Sequence, residues 1–270
     1  MKYAFGAINS SFDIRDYSIV TANNVPEKFY CPIQVPVKNQ GQYSTCVAHA
    51  AASAVEYHYK KITGKYRKFS TEFIYGIRDI GYYVGEGMSI RDALKTLLQY
   101  GDVFEVDCPG NNHVQQSINN VHSRESELKV LAYPHRISAY YKCNGTHKIK
   151  SALLAHGPVL VSIDVHEKYR FVDDVYDDNS SKRIGKHCVL IIGYDEKGWL
   201  IQNSWGKYHA GDGKFYMPYS YKFNEAWGLA DSIDDTTVNV IKIKPRSFIL
   251  DKIYKIYNKL INLFLNLKKN

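Results

Sequence analysis

Apolar and polar positions divide the chain into a helical first half and a stranded second half. Apolar residues recur at helical spacing over 46–61, 70–82 and 89–100. In the second stretch Ser70 precedes Phe73, Ile74 and Ile77; in the third Ser89 precedes Leu94, Leu97 and Leu98, and Gly101 follows. These are cap signals, because a hydroxyl accepts an orphan N–H at a helix start and Gly takes the left-handed turn at its end. Residues 102–120 read as a loop. Short helices are expected near 124–131 and 147–156, the latter stopped by Gly157-Pro158. Beyond Pro158 the period shortens: 159–163, 188–192, 199–202 and 213–217 are short runs of β-formers, with a turn from Gly193 to Gly198. Helices followed by strands predict an α+β fold, most simply two lobes sharing a cleft.

The flanks differ from this body. Residues 1–25 are polar and irregular and read as an arm; Pro26, Pro32 and Pro36 keep the following stretch extended as the main domain, 26–240, begins. Residues 241–270 read as a basic amphipathic helix, with Ile249, Ile253, Ile256, Leu260, Leu263 and Leu267 on one stripe and Lys252, Lys255 and Lys259 largely off it. Membrane contact by 246–270 and docking on the protein body, or on a second copy, are both open. Docking is favoured because a helix with one apolar face usually buries it against its own protein. The oligomeric state is not encoded in any pattern found.

Composition narrows the classes. At 270 residues, 45% hydrophobic and 23% charged, the chain is that of a soluble globular protein. The net charge of +8 is dispersed until the last thirty residues, so no nucleic-acid partner is expected. Five cysteines, without a C-x-x-C pair, argue against a disulfide framework and a zinc site. The acidic run 173–178 lacks the spacing and Gly of a calcium loop, and no metal or organic cofactor is expected. The start lacks a secretory apolar region and no run of about 18 apolar residues occurs. The expected location is an intracellular reducing compartment, either cytoplasm or the virion of an intracellular agent.

One stretch carries chemistry. Gln40 lies six residues before Cys46, in a loop that runs straight into a helical pattern. A sulfur at a helix N-terminus faces unpaired N–H groups and the positive dipole end, which favour thiolate. The Gln amide offers a donor to the oxyanion that thiolate attack creates. A buried inert thiol is the alternative. A Cys nucleophile also needs a base able to return the proton, and His suits both tasks. Of ten His residues, His187 stands at the start of an apolar strand, where its ring can face a cleft. Asn203, ending the next strand, would come beside it through a hairpin and orient the ring, with Trp205 covering their bond from solvent.

Four elements in order resemble the papain (cathepsin-like) cysteine peptidases: the Gln-x5-Cys loop, Gly157-Pro158-Val159, the Gly185-to-Tyr194 strand with His187, and Asn203-Ser204-Trp205-Gly206. His187 follows Cys46 by roughly 140 residues, the family's spacing. The resemblance implies a two-lobed fold, helical on one side and β-barrel-like on the other, without cofactor, acting on protein or peptide substrates. It implies Cys46 as nucleophile, His187 as general acid/base, Asn203 as its orienter, and Gln40 with the Cys46 N–H as oxyanion donors. Gly87, Met88, Ser162, Gly185, Lys186 and Trp205 would contact substrate, with Met88, Ser162 and Gly185 around the pocket for the second residue upstream of the cut. Tyr43 replaces the bridging Cys of secreted relatives, and only about 25 residues precede Pro26, which suggests a short-prosegment bacterial or viral branch and a nucleophile loop held by packing. The arm, 1–25, either lies in the cleft and restrains activity or packs on the back of the protein. Cysteine endopeptidase activity is the expectation; an exopeptidase or acyl transferase, or a silent papain-like interaction protein, are the alternatives.

Overall fold

The computed structural model describes residues 4–11, 13, 16–78, 86–110, 114–178 and 181–230; the expected helix at 241–270 lies outside them. The long first helix, α1 (Cys46–Thr63), forms because an Ala-rich sequence loses little side-chain entropy on coiling. Residues 46–58 are buried on every face, and Gly64 ends the helix with φ 69°, its N–H bonded to the Lys60 carbonyl. Ser70 caps α2 (Thr71–Gly76) by accepting the Phe73 N–H, and Ser89 caps α3 (Ile90–Gln99) by accepting that of Asp92. The second helix is shorter than its sequence pattern, and the remainder of that pattern, 79–82, lies outside the described residues.

Part of the expected loop at 102–120 is helical instead. Val114–Ser123 forms α4, which packs on α2 with Ile118 and Val121 turned inward. Its apolar residues, Val114, Ile118 and Val121, do fall at helical spacing, but three of them amid Gln and Asn over ten residues are a short signal. The helices α5 (Glu125–Ala132) and α6 (Thr146–Ala155) lie within a residue of expectation.

The strands are β1 (Ala7–Ile8), β2 (Phe29–Tyr30), β3 (Met88–Ser89), β4 (Ala139–Lys142), β5 (Val159–His166), β6 (Arg183–Asp195), β7 (Gly198–Gln202), β8 (Lys214–Met217) and β9 (Glu225–Ala230). Seven form one sheet in the order β4-β9-β5-β6-β7-β8, with β2 added on β6. Its pairs are antiparallel. The sheet is open rather than barrel-like, with β4 and β8 at its ends. Both ends are covered: Tyr17 accepts the Lys142 N–H on β4, and Val175 bridges Tyr216 on β8, which blunts the exposed edges. One apolar core lies within the β lobe; a second joins α1 and α3 to one face of β5, β6 and β9. The cleft runs where these two cores meet.

The segment before α1 is tied to that helix by a buried ion pair. Lys38 Nζ lies 2.5 Å from Glu56 of α1, and the same carboxylate accepts the Phe69 N–H at 2.9 Å. Lys38→Met would leave Glu56 charged and uncompensated in a site without solvent. We expect a loss of about 3–5 kcal/mol, read as a lowered urea midpoint; an unchanged midpoint would show that the pair contributes nothing.

Candidate active site

The loop before α1 is held by hydrogen bonds, not by side-chain packing alone. Gln40 N–H donates to the Ser204 carbonyl at 2.8 Å, and Gln40 Oε1 accepts the Ser204 hydroxyl at 2.7 Å. Its amide Nε2 donates to the Tyr43 carbonyl at 2.8 Å, closing the turn that leads to Cys46. Asn39 bridges Trp205 on the neighbouring segment. The Gln40 loop is thus fastened to the Asn203–Gly206 segment of the opposite lobe, which positions both sides of the cleft at once.

Cys46 is fully buried at the first residue of α1. Its sulfur interacts with the backbone of Cys188, Gly6, Val47 and Cys46 itself, interactions that favour thiolate, but burial outweighs them and raises its pKa above the ordinary thiol value. Cys188, whose backbone the sulfur meets, directly follows His187 on β6. His187 is the fifth residue of β6 rather than the first of a strand, because β6 extends back to Arg183 along β5. Burial lowers its pKa to about 4, against the opposing effect of its bond to Asn203. Both shifts favour a neutral thiol and a neutral imidazole.

The ring orientation follows from its partners. His187 Nε2 lies 2.8 Å from Asn203 Oδ1, which also accepts the Ser204 N–H at 2.8 Å. A backbone N–H can only donate, so the Asn203 atom it meets is the oxygen, and His187 must carry its proton on Nε2. That leaves Nδ1, buried and without a hydrogen-bond partner, as the basic atom. Trp205, 2% exposed, covers the pair with its ring centroid 5.0 Å from that of His187. The arrangement can take a proton from a thiol through Nδ1 and return it, the ring being held by Asn203.

The arm occupies this cleft. Gln40 Nε2 donates to the Ala4 carbonyl at 3.1 Å, and Phe5 packs against the rings of His187 and Trp205. The Gly6 carbonyl accepts the Met88 N–H at 3.0 Å, and β1 pairs with β3 in parallel, Ala7 opposite Met88. Asn9 accepts from Lys186 Nζ, and Ser10 N–H donates to Glu225 Oε1 at 3.3 Å. Asp16 then pairs with Arg91 of α3. Close approach depends on glycines: a Cβ on Gly6 would lie 2.0 Å from the Ser44 carbonyl oxygen, one on Gly87 2.5 Å from the Gly6 oxygen, and one on Gly185 2.7 Å from the Phe5 ring. The rear of the arm lies elsewhere, on the β lobe, with Ile19 in its core and Ala22 N–H on Ser151 Oγ at 3.0 Å. Both placements open from sequence are therefore realised, by different parts of one segment.

Of the expected contact residues, Gly87, Met88, Gly185, Lys186 and Trp205 all meet the arm. Ser162 does not rim the cleft; it is wholly buried opposite Cys188 and Glu225, with Oγ lacking a hydrogen-bond partner. His209 stands behind Asn203, and nothing in the local pattern singled it out. All five cysteines are free and buried. Among the described residues no cluster suited to a metal ion occurs, and no helix is long and apolar enough to cross a membrane.

Residues 25–233 match the family model described as papain family cysteine protease. Cathepsin K of Mus musculus is 28% identical over 211 residues, which cover 73% of this chain and 59% of cathepsin K. The viral cathepsin of Cydia pomonella granulosis virus is 25% identical over 67% of the chain and 53% of its own length. The chain thus spans less than two thirds of these relatives. Among solved structures, xylellain, a cysteine protease from Xylella fastidiosa, superposes with a TM-score of 0.76 at 24% identity, covering 85% of this chain and 97% of xylellain. Digestive procathepsin L 3 of Tenebrio molitor gives 0.67 at 19% identity, covering 84% of this chain and 75% of its own. At these identities the structural likeness establishes the fold.

Proposed function

Because this chain belongs to the papain family of cysteine proteases, we propose that it is a cysteine endopeptidase, held latent by its own N-terminal arm. The carrying observation is the bond between His187 Nε2 and Asn203 Oδ1 at 2.8 Å, which leaves Nδ1 as the basic atom, while the Cys46 sulfur meets the backbone of the adjacent residue, Cys188. In this reading His187 takes the thiol proton, and the thiolate attacks a peptide carbonyl whose oxygen receives the Gln40 amide and the Cys46 N–H. Collapse of that intermediate expels the amine, protonated by His187, and water releases the acyl-enzyme. Ala4 supports the Gln40 role, since its carbonyl sits on the same Nε2 that would meet the oxyanion. Met88, Gly87, Gly185 and Lys186, the residues the arm now covers, then bind the substrate backbone and side chains.

The arm supports both endopeptidase action and latency. It passes without interruption from Gln40 and Trp205, past Cys46, to Met88 and Glu225, so the cleft admits chain on both sides of the sulfur. An exopeptidase would close one side. The leaving amine must lie near His187, so a substrate's C-terminal half belongs on the His187–Trp205 side. The arm places its earlier residues there and its later ones at Met88, and so runs opposite to a substrate. A reversed backbone presents no correctly oriented carbonyl to the sulfur, and blocks the site without being cut. The five free thiols support action in a reducing compartment.

A peptide library digested with the opened enzyme, read by mass spectrometry, should give internal cuts; removal of terminal residues alone would sink the endopeptidase reading. Labelling by an epoxide thiol inhibitor should fall on Cys46 and vanish in His187→Ala, whereas equal labelling of several cysteines would count against a catalytic thiolate. Gln40→Glu keeps the acceptor for Ser204 but removes the donor. It should lower kcat by about 10²–10³-fold, and an unchanged kcat would remove Gln40 from the oxyanion site.

A further inference from the structure

We propose that His209 is a positioning residue for catalysis, holding the Asn203 amide in the one orientation that orients His187. Its Nδ1 lies 3.1 Å from Asn203 Nδ2, and its Nε2 lies 3.4 Å from the Tyr169 carbonyl oxygen. The protons along this line are fixed by chemistry. Ser204 N–H identifies Asn203 Oδ1, so the other atom is the amide nitrogen, which can only donate. His209 Nδ1 must then accept, and Nε2 carries the proton to Tyr169. A neutral His209 thus selects the Asn203 rotamer, and Asn203 selects the His187 tautomer, over three residues in series.

The surroundings keep this ring neutral and fixed. His209 is 6% exposed and lies among Trp205, Tyr169 and Phe215, with ring centroids 4.9, 5.7 and 6.2 Å away. Tyr169 and His187 are titratable groups that face it. Burial pushes its pKa below the ordinary histidine value, with the Tyr169 carbonyl opposing, and its charge would further disfavour that of His187. A proton on Nδ1 would set N–H against N–H at Asn203. Turning the amide over relieves that clash but points its nitrogen at His187 Nε2 and the Ser204 N–H, which loses both bonds. Catalysis therefore requires His209 unprotonated, although His209 touches neither substrate nor sulfur.

The role rests on the peptidase reading, so the test has one arm that needs no turnover. His209→Asn offers Oδ1, an acceptor that cannot be protonated, where Nδ1 now stands; His209→Leu offers none. In full-length protein opened by Gly6→Leu, His209→Leu should lower kcat about 10–100-fold with KM within twofold, and His209→Asn should retain kcat within about threefold. The acid limb of kcat/KM should become one proton less steep in His209→Asn. Ring-nitrogen NMR of the 15N-labelled full chain should show a single Nε2–H tautomer of His187 in the parent and His209→Asn, and averaged tautomers in His209→Leu. Equal kinetic losses in both variants, or a single His187 tautomer in His209→Leu, would overturn the proposal. Should no variant turn over peptide, the tautomer measurement alone decides it.

Discussion

Gly6→Leu in the full-length chain is expected to raise kcat/KM on a fluorogenic peptide by on the order of 100-fold, equivalent to about 2.7 kcal/mol of arm docking lost. A Cβ at Gly6 would lie 2.0 Å from the Ser44 carbonyl oxygen, which is main chain and cannot swing aside. The larger residue leaves the rear anchors intact, since the Asp16–Arg91 pair and Ile19 lie well beyond it. Removing residues 1–12 should have the same effect by a different route. Once the arm leaves, water reaches Cys46 and His187. The burial that raises the thiol and lowers the imidazole is relieved, so the two pKa values move toward each other and the thiolate–imidazolium pair becomes accessible. Iodoacetamide should therefore alkylate Cys46 faster in both opened forms. Equal turnover and equal alkylation in parent and variants would show that the arm does not restrain the site.

In that opened background, Cys46→Ala or His187→Ala should each lower kcat by about 10⁴–10⁶-fold, and the double variant should lose little more than either alone. A nucleophile and its base act as one unit, so removing either forfeits the shared step. Asn203→Ala should cost less, because the imidazole survives with its orientation loosened. Thermal midpoints should stay within a few degrees for His187→Ala. Residual turnover above a few per cent in Cys46→Ala would assign the activity to another group.

Much of this arrangement is legible in the chain before any coordinates. The Ala-rich run behind Cys46, the Ser70 and Ser89 caps and the β6–β7 hairpin are local, and local signals survive folding. Asn203 lies on His187 and Gln40 on Ser204, next to Asn203, while the Cys46 sulfur meets the backbone of Cys188. What escaped is what depends on distant partners. β4 and β9 pair across a long separation and carry too little alternation to stand alone. α4 is helical because α2 offers it a surface. His209 carries no motif; only the meeting of its ring with Asn203 gives it a part. The depth of the arm follows from Gly6, Gly87 and Gly185, three side-chain absences whose value appears only when one backbone lies on another.

The rooting of the arm behind the cleft, at Asp16, Ile19 and Ala22, also sets how its grip scales with concentration. The cleft-filling stretch is joined to its own receptor through a few residues, so rebinding is a first-order event at an effective concentration in the millimolar range. Diluting the protein leaves latency unchanged, and a separate peptide copying residues 4–11 should half-inhibit the opened enzyme about 100-fold below that concentration, at roughly 10 µM, since the tethered arm holds the site about 100-fold closed. Cutting the link between Ser11 and Asp16 would turn a permanent occupant into a diffusible one, so a single break in the chain would set off release at any dilution below roughly 10 µM.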